Sequence, residues 1–125
     1  MSTNGRPSKS RVLVVDDERV IADTLAIILN QNGFEASAVY TGTAAVERAR
    51  ESQPDLVISD VIMPDMNGIE AAIRIRQILP GCKILLFSGQ AATADLLEKA
   101  RAQGHEFEIL AKPVHPQDLL TKLRS

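Results

Sequence analysis

Short apolar runs alternate along this chain with longer stretches whose apolar residues recur at every third or fourth position. A short run rich in Val, Ile and Leu between polar turns is typical of a buried strand, whereas the longer spacing is typical of an amphipathic helix. The predicted strands cover residues 12–15, 34–39, 56–59, 84–87 and 107–111. A helical stretch follows each of them, so the pattern predicts a series of β-α units.

Turn and capping residues mark the ends of the predicted helices. Glycine and asparagine tolerate a left-handed backbone, threonine and aspartate cap helix N-termini, and proline interrupts a helix. The first helix ends at Asn32-Gly33, Thr41 or Thr43 caps the second, Gln53-Pro54 ends it, Gly68 begins the third, Thr93 or Asp95 begins the fourth, and the fifth follows Pro116.

The repeated β-α unit indicates an α/β fold with a doubly wound, five-stranded parallel sheet and five helices. Parallel strands need crossover connections, and crossovers of one hand place helices on both faces of the sheet. Periodicity does not give the strand order. The flavodoxin-like order 2-1-3-4-5 would place the carboxyl ends of the first and third strands side by side at the switch point. Asp16, Asp17 and Asp60 would then share one crevice.

Length and composition fit a single domain. The chain has 125 residues, of which 45% are apolar, and this is enough to fill one core. The first ten residues are polar and contain Gly5 and Pro7. We assign residues 1–10 to a flexible N-terminal tail and residues 11–125 to the domain.

The charge pattern argues against two classes of partner. Fourteen basic and sixteen acidic residues give a net charge of −2, so the basic footprint of a nucleic-acid-binding protein is missing. We find neither a basic run for a membrane surface nor a segment with the roughly 20 apolar residues of a transmembrane helix. The N-terminus lacks the apolar core of a signal peptide, and a single cysteine, Cys82, cannot form an internal disulfide. We therefore expect a cytoplasmic protein that contacts neither DNA nor membrane directly.

Polar side chains stand where four of the predicted strands end: Asp16-Asp17, Asp60, Ser88 and Lys112. In a parallel sheet these positions share one edge, so three carboxylates, a hydroxyl and an ammonium are expected to converge. Crowded carboxylates raise one another's pKa unless a cation offsets their repulsion. Mg²⁺ suits this set because it prefers oxygen ligands and commonly takes one or two carboxylates together with a phosphate oxygen.

The same set of residues fits phosphoryl transfer. Asp60 can attack phosphorus while the metal and Lys112 neutralise the phosphoryl oxygens and the Ser88 hydroxyl donates a hydrogen bond. The product is an aspartyl phosphate, a mixed anhydride that water hydrolyses readily. A labile modification of this kind suits a temporary signal better than a permanent mark.

In their order and spacing, these motifs resemble the receiver domain of bacterial two-component response regulators. The resemblance covers residues 11–125 and rests on the following motifs: Asp16-Asp17-Glu18, Asp60 with Met63-Pro64 and Gly68, Ser88-Gly89, and Lys112-Pro113. It implies that Asp60 accepts a phosphoryl group from a phosphohistidine of a sensor histidine kinase or phosphotransfer protein. The chain would catalyse its own phosphorylation and dephosphorylation, as a signalling module rather than a turnover enzyme.

The resemblance also implies a role for each site residue. Asp17 would ligate Mg²⁺ directly and Asp16 mainly through water, and Asp60 and the Ile62 backbone carbonyl would be further ligands. Lys112 would pair with the phosphoryl group, Ser88 would move toward it on activation, and the Lys112-Pro113 bond would be cis.

The chain departs from the family at one position. Family members commonly carry Tyr or Phe three residues before the lysine, where this chain has Ile109. Phe107 is expected on the same strand face but further from the site, so the coupled movement of hydroxyl and aromatic residue is expected to be weaker. Ile62 and Gln90 occupy the positions that, in the family, influence the access of water to the phosphoryl group. By this resemblance, the apolar Ile62 predicts that hydrolysis is not fast.

Two other functions remain open at this point. One is a degenerate receiver that binds a partner without phosphorylation, and the other is a Mg²⁺-dependent phosphohydrolase with an aspartyl nucleophile. The second places its nucleophile in an Asp-x-Asp motif, whereas this chain has adjacent Asp16-Asp17. Output is expected through an unidentified partner protein or through an output domain that is missing from this sequence.

Overall fold

Parallel strands alternate with helices throughout the part of the chain that the computed structural model describes, residues 9–89, 92–112 and 115–124. The strands are β1 (Arg11–Val15), β2 (Glu35–Val39), β3 (Leu56–Asp60), β4 (Lys83–Ser88) and β5 (Glu108–Ala111). The helices are α1 (Arg19–Gln31), α2 (Gly42–Ser52), α3 (Gly68–Ile78), α4 (Ala92–Ala102) and α5 (Pro116–Arg124). Most of the predicted N-terminal tail, residues 1–8, lies outside the described residues.

The strands form one parallel sheet in the order β2-β1-β3-β4-β5, and this order confirms the predicted fold class. Strand β1 pairs with β2 on one side and with the central strand β3 on the other, with Val15 opposite Val39 and Ser59. The carboxyl ends of β1 and β3 are therefore neighbours, at the point where the chain switches from one half of the sheet to the other.

A layer of helices covers each face of the sheet. Alternate strand residues such as Leu13 and Val57 pack with α2 and α3, whereas Val14 and Ile58 pack with α1 and α5. All five residues of β3 are buried because the strand is covered on both faces. This double coverage explains why the strands are almost continuously apolar. Among the described residues, no helix is long and apolar enough to cross a membrane.

The helix caps settle one of the alternatives left by the sequence. Thr41, rather than Thr43, caps α2, since its hydroxyl accepts the Ala44 N–H at 3.0 Å. Asn67 caps α3 in the same way and accepts the Glu70 N–H at 2.8 Å. Gly33, after α1, has a φ of +92°, the left-handed conformation predicted for that position.

The predicted bounds of every strand differ from the observed ones by one residue at one or both ends, and the start of α4 differs as well. Helix α4 begins at Ala92, ahead of both predicted starts at Thr93 and Asp95, because alanine extends a helix readily. Strand β5 begins at Glu108, so Phe107 lies outside it. The guanidinium of Arg76 in α3 lies 4.4 Å from the centre of the Phe107 ring, and this contact holds the ring beside α3.

The outer edge of β2 is occupied near its start by a side chain of α1. The Asn30 amide donates to the Ala36 carbonyl at 3.1 Å and accepts the Ala36 N–H at 2.8 Å. Both backbone groups of Ala36 face away from β1 in the parallel ladder, since Glu35 and Ser37 are the residues that point toward it. Asn30 thus provides the two hydrogen bonds that a further strand would otherwise make.

Helix α3 begins directly against the end of β3, and Gly68 makes this contact possible. Its N–H donates to the Val61 carbonyl at 2.7 Å. A Cβ atom at this position would overlap the carbonyl oxygen of Asp60 and would lie 3.1 Å from Ser59 Oγ. The absence of a side chain at Gly68 therefore determines how closely α3 approaches the buried end of β3.

We expect Gly68→Ala to lower the free energy of unfolding by about 1–3 kcal/mol, because the added methyl group meets backbone atoms that cannot easily move. Gly81→Ala is the matched control, since a Cβ atom there has no neighbour within 4 Å. The control should change stability by about 0.5 kcal/mol or less. Urea denaturation measures both, and equal effects of the two substitutions would contradict this account of α3.

Candidate functional site

The carboxyl ends of β1 and β3 bring three acidic side chains together. Asp16 and Asp17 follow β1, and Asp60 is the last residue of β3. Each offers a carboxylate oxygen, and these three oxygens lie within 4.8 Å of one another. Asp16 and Asp60 are buried, whereas Asp17 is exposed. Since β1 and β3 are neighbours, their pairing forces this concentration of like charge.

Asp16 has only part of its hydrogen-bonding capacity met. Its Oδ1 accepts the Glu18 N–H at 2.9 Å, whereas its buried Oδ2 has no hydrogen-bond partner among the described residues. Burial raises the pKa of Asp16 above its usual value, and the Asp60 and Asp17 carboxylates raise it further. A buried carboxylate oxygen in this position is one that a cation, or a water bound to a cation, would satisfy. The site therefore fits a divalent metal ion.

Acidic residues just before a helix often cap its N-terminus, which makes Asp17 and Glu18 candidate caps of α1. Glu18 is the N-cap residue, but its side chain makes no capping hydrogen bond. The Asp16 carboxylate instead accepts the Glu18 N–H. Capping thus does not account for Asp17, which remains at the surface beside the two buried carboxylates.

Lys112 follows β5 and reaches across to Asp60. Its Nζ lies 3.0 Å from Asp60 Oδ2, and one third of the lysine side chain, 34%, stays exposed. The Lys112 N–H donates to the Ser88 carbonyl at 3.1 Å. A Cβ atom at Gly89 would lie 2.8 Å from Lys112 Cβ, so a glycine allows the lysine to pass close to the end of β4.

A cleft of about 340 Å³ opens above these groups. It is lined by Asp17, Glu18, Asp60, Ile62, Ser88, Gly89 and Lys112. Ser88 ends β4 and is half-buried, and the Ile62 side chain is 46% exposed. The cleft thus combines carboxylates, an ammonium and a hydroxyl with one apolar side chain.

All the site residues predicted from the sequence lie at this edge of the sheet. Asp17, Asp60, Ile62, Ser88 and Lys112 line the cleft, and Asp16 belongs to the carboxylate cluster beneath it. The predictions for Pro113 and Gln90 concern positions outside the described residues.

The sequence analysis missed two residues whose side chains form hydrogen bonds near the site. The buried Ser59 hydroxyl donates to the Asp60 carbonyl at 2.9 Å. The Asp65 carboxylate accepts hydrogen bonds from residues 42 and 43 at the start of α2. The sequence holds one sign that Asp65 has a role other than capping α3. It follows Pro64 in a loop, and Asn67 is better placed to cap that helix.

The surface around Ile109 differs from the site. Ile109 is 37% exposed and lines a separate cleft of about 320 Å³ with Leu97, His105 and Phe107. Phe107 lies just before β5 rather than within it, but it lines the same cleft as Ile109, as expected for two residues on one side of the sheet. The Arg76 contact places the Phe107 ring beside α3.

The arrangement is suited to binding an anion together with a metal cation. A single lysine ammonium faces three carboxylates and is already paired with Asp60. Asp60 is buried, lines the cleft and is the carboxylate paired with Lys112, so it can act as a nucleophile toward a bound phosphoryl group. The neighbouring Lys112 and Ser88 can then contact the phosphoryl oxygens.

Comparison with known proteins gives the same result over nearly the whole chain. The family model of the response regulator receiver domain matches residues 12–124. The chain is 36% identical over 114 residues to the chemotaxis protein CheY of Thermotoga maritima, covering 90% of this chain and 93% of that protein. It is 32% identical over 117 residues to the DNA-binding response regulator MtrA of Mycobacterium leprae, covering 94% of this chain and 51% of the relative. The chain thus spans about half the length of the mycobacterial regulators that it matches.

Solved structures agree in fold. A CheY-like response regulator receiver domain protein from Methanospirillum hungatei superposes with a TM-score of 0.84 at 28% identity, covering 94% of this chain and 92% of that one. The chemotaxis response regulator CheY4 of Vibrio cholerae superposes with a TM-score of 0.79 at 29% identity, covering 94% and 98%. With its strand order and its acidic cleft, the chain belongs to the response regulator receiver domain family.

Proposed function

We propose that this chain is a phosphorylation-dependent signalling switch in which Asp60 accepts a phosphoryl group from a phosphohistidine. The donor is a sensor histidine kinase or a histidine phosphotransfer protein. The observation that carries the proposal is the placement of Asp60, which lines the cleft, lies 3.0 Å from the Lys112 ammonium and belongs to the Asp16–Asp17 cluster. Asp60 is thereby the carboxylate with both a positive partner and access to a donor.

The reaction transfers one phosphoryl group between two side chains. An Asp60 carboxylate oxygen attacks phosphorus, the bond between phosphorus and the donor histidine nitrogen breaks, and the electron pair stays on the imidazole. Asp60 becomes an aspartyl phosphate. Lys112, released from its ion pair, moves its ammonium to the phosphoryl oxygens, and the Ser88 hydroxyl donates a hydrogen bond to them.

Mg²⁺ is the metal that this site would bind, and Asp16, Asp17, Asp60 and the Ile62 carbonyl would hold it. Asp17 is exposed and suits direct ligation, whereas the buried Asp16, with one unsatisfied oxygen, suits contact through a metal-bound water. Bound Mg²⁺ neutralises part of the charge on the transferring phosphoryl group. The metal would also offset the repulsion among the three carboxylates, which is present in the metal-free protein.

The donor docks beside the cleft, on the first turns of α1. This helix exposes Val20 and Ile27 at 79% and 55%, and Ile62 is exposed at the rim of the cleft. Because α1 begins just after the carboxyl end of β1, Val20 lies nearer Asp60 than Ile27 does. An exposed apolar surface next to the nucleophile would contact the protein that carries the phosphohistidine.

The output of the switch passes through another protein or through an attached domain. The relatives described as DNA-binding regulators are about twice as long as this chain, which supports an attached domain as one route. Three expectations from the sequence stay predictions. They are that this chain does not itself bind DNA, that its domain runs from residue 11 to 125, and that hydrolysis of its phosphoryl group is not fast.

We expect acetyl phosphate with Mg²⁺ to add one labile phosphoryl group, detected by intact mass. Asp60→Asn should abolish this gain, because among the described residues no other carboxylate is both buried and paired with Lys112. Asp118→Asn, at an exposed position in the first turn of α5, is the control and should be labelled like the parent chain. Chelation of the metal should also prevent labelling. If Asp60→Asn is still labelled, Asp60 is not the acceptor, and if partner binding and signalling are unchanged in this variant, the chain acts as a degenerate receiver.

Asp17→Asn should stabilise the metal-free protein by up to about 1 kcal/mol, because it removes a charge that repels Asp16. The order should reverse as Mg²⁺ is added, since only the parent chain gains the full binding energy of the metal. Thermal unfolding with chelator and with increasing Mg²⁺ measures both effects. A variant that is less stable in chelator and equally stabilised by Mg²⁺ would argue against a metal site here.

Val20→Ser should slow phosphoryl transfer from a phosphorylated histidine kinase or phosphotransfer protein that labels the parent chain, because it removes exposed apolar contact area. Ile27→Ser is the matched control on the same helix, about 10 Å further along, and should have the smaller effect. Labelling by acetyl phosphate should be unchanged in both variants. Equal slowing by both donors would place Val20 in the reaction chemistry or the fold rather than in docking.

A further inference from the structure

The loop that follows Asp60 is fastened at its tip to a different helix. Within this loop, residues 61–67, Asp65 Oδ1 accepts the Gly42 N–H at 3.1 Å. Asp65 Oδ2 accepts the Thr43 N–H at 3.0 Å and the Thr43 hydroxyl at 2.8 Å. Helix α3, which the loop leads into, has its own cap in Asn67. One carboxylate therefore joins the loop to the N-terminus of α2, more than twenty residues earlier in the chain.

The charge on Asp65 strengthens this contact. The hydrogen bonds from Thr43 and Gly42 lower the pKa of Asp65 to about 2, so the carboxylate is ionised at neutral pH. The N-terminus of a helix carries partial positive charge and unpaired N–H groups, and a carboxylate satisfies both. The link is thus a set of charge-assisted hydrogen bonds, which are stronger than bonds between neutral groups.

Close packing limits how far the loop can move against α2. A Cβ atom at Gly42 would lie 2.8 Å from both the Cβ and the carbonyl oxygen of Met66. At the base of the loop, the Gly68 N–H donates to the Val61 carbonyl at 2.7 Å. The loop is therefore closed at its base and held at its tip.

Ile62 lies between these two attachments, and its own side chain is 46% exposed. Its burial therefore contributes little to fixing the backbone at this residue. Met63 is buried and anchors the next residue, but it does not connect the loop to α2 as Asp65 does. Val61 is also buried, so Ile62 is flanked by two anchored residues, and the Asp65 carboxylate adds the hydrogen bonds that join this loop to α2.

We propose that Asp65 is a positioning residue, which fixes the loop 61–67 against the N-terminus of α2 and so holds the Ile62 carbonyl in place for the metal. This inference rests on the proposed function, because it assigns the carbonyl to the Mg²⁺ site. A purely structural role, in which Asp65 only caps α2, predicts a different outcome. Thr41 caps the same helix, and its side-chain hydrogen bond goes to the Ala44 N–H within α2, so it provides the comparison.

The test compares Asp65→Ala with Thr41→Ala, both of which remove capping hydrogen bonds from α2. Calorimetric titration with Mg²⁺ alone measures the dissociation constant. Asp65→Ala should raise it about tenfold, the loss typical when the support of a metal ligand is removed, and Thr41→Ala should change it by less than about twofold. Hydrogen exchange of the metal-free proteins gives a second readout, in which residues 61–67 should exchange faster in Asp65→Ala only.

Two milder variants keep the test decisive if Asp65→Ala does not fold. Asp65→Asn keeps an acceptor but loses the charge, and Thr43→Ala removes only the hydroxyl donor. Both should raise the dissociation constant in the same direction and by less than Asp65→Ala.

The outcomes separate this inference from the proposed function. If the parent chain binds no Mg²⁺, the proposed metal site fails and this inference fails with it. If the parent chain binds Mg²⁺ and the Asp65 variants match Thr41→Ala in affinity and exchange, only the positioning role is overturned. Weaker Mg²⁺ binding together with faster exchange in the Asp65 variants alone supports it.

Discussion

The pairing of β1 with β3 is the constraint on which the site depends, because it places three carboxylates at one corner of a buried sheet. Asp16 and Asp60 are buried there, and burial raises the pKa of Asp16. A parallel sheet offers no freedom to separate these residues, since the register fixes Val15 opposite Ser59, one residue before each acid. The fold thus maintains an unfavourable concentration of negative charge that only positive charge relieves.

The residues around the carboxylate cluster partly neutralise its charge and pack closely against it. Lys112 places its ammonium 3.0 Å from Asp60, and Gly89 leaves room for the lysine to reach it. Gly68 lets α3 begin against the carbonyl of Asp60, where any side chain would clash. A partly neutralised cluster in an open cleft is suited to binding a cation and a phosphoryl group together, because each compensates for charge that the other leaves.

Much of the fold can be predicted from the sequence, because strands buried on both faces must be apolar along their whole length. The runs around Val14, Ile58 and Leu85 are apolar since helices cover the sheet on both sides, and their order along the chain gives the β-α units. The strand order needs more than periodicity, which reports burial and not neighbours. The acidic residues after β1 and β3 favour the observed order, because only neighbouring strand ends bring them together.

Other features depend on contacts between residues far apart in the chain, which a local pattern does not record. Phenylalanine is common in strands, yet the strand begins after Phe107, and its ring packs against Arg76 of α3. Asp65 resembles an ordinary loop aspartate, and its link to Gly42 and Thr43 exists only once α2 and the loop are folded together. Local propensity identifies the elements, whereas tertiary contacts determine their ends and their attachments.

The Asn30 side chain at the edge of β2 has a consequence for how copies of this protein can associate. An exposed edge strand is a template on which another chain can add a strand, and this risk rises at the concentrations of a crowded cell. At Ala36 the template is already filled by the asparagine amide, so an incoming strand must first displace it. Continuous sheet extension through β2 is therefore disfavoured, because a strand added here would cost the two hydrogen bonds of Asn30.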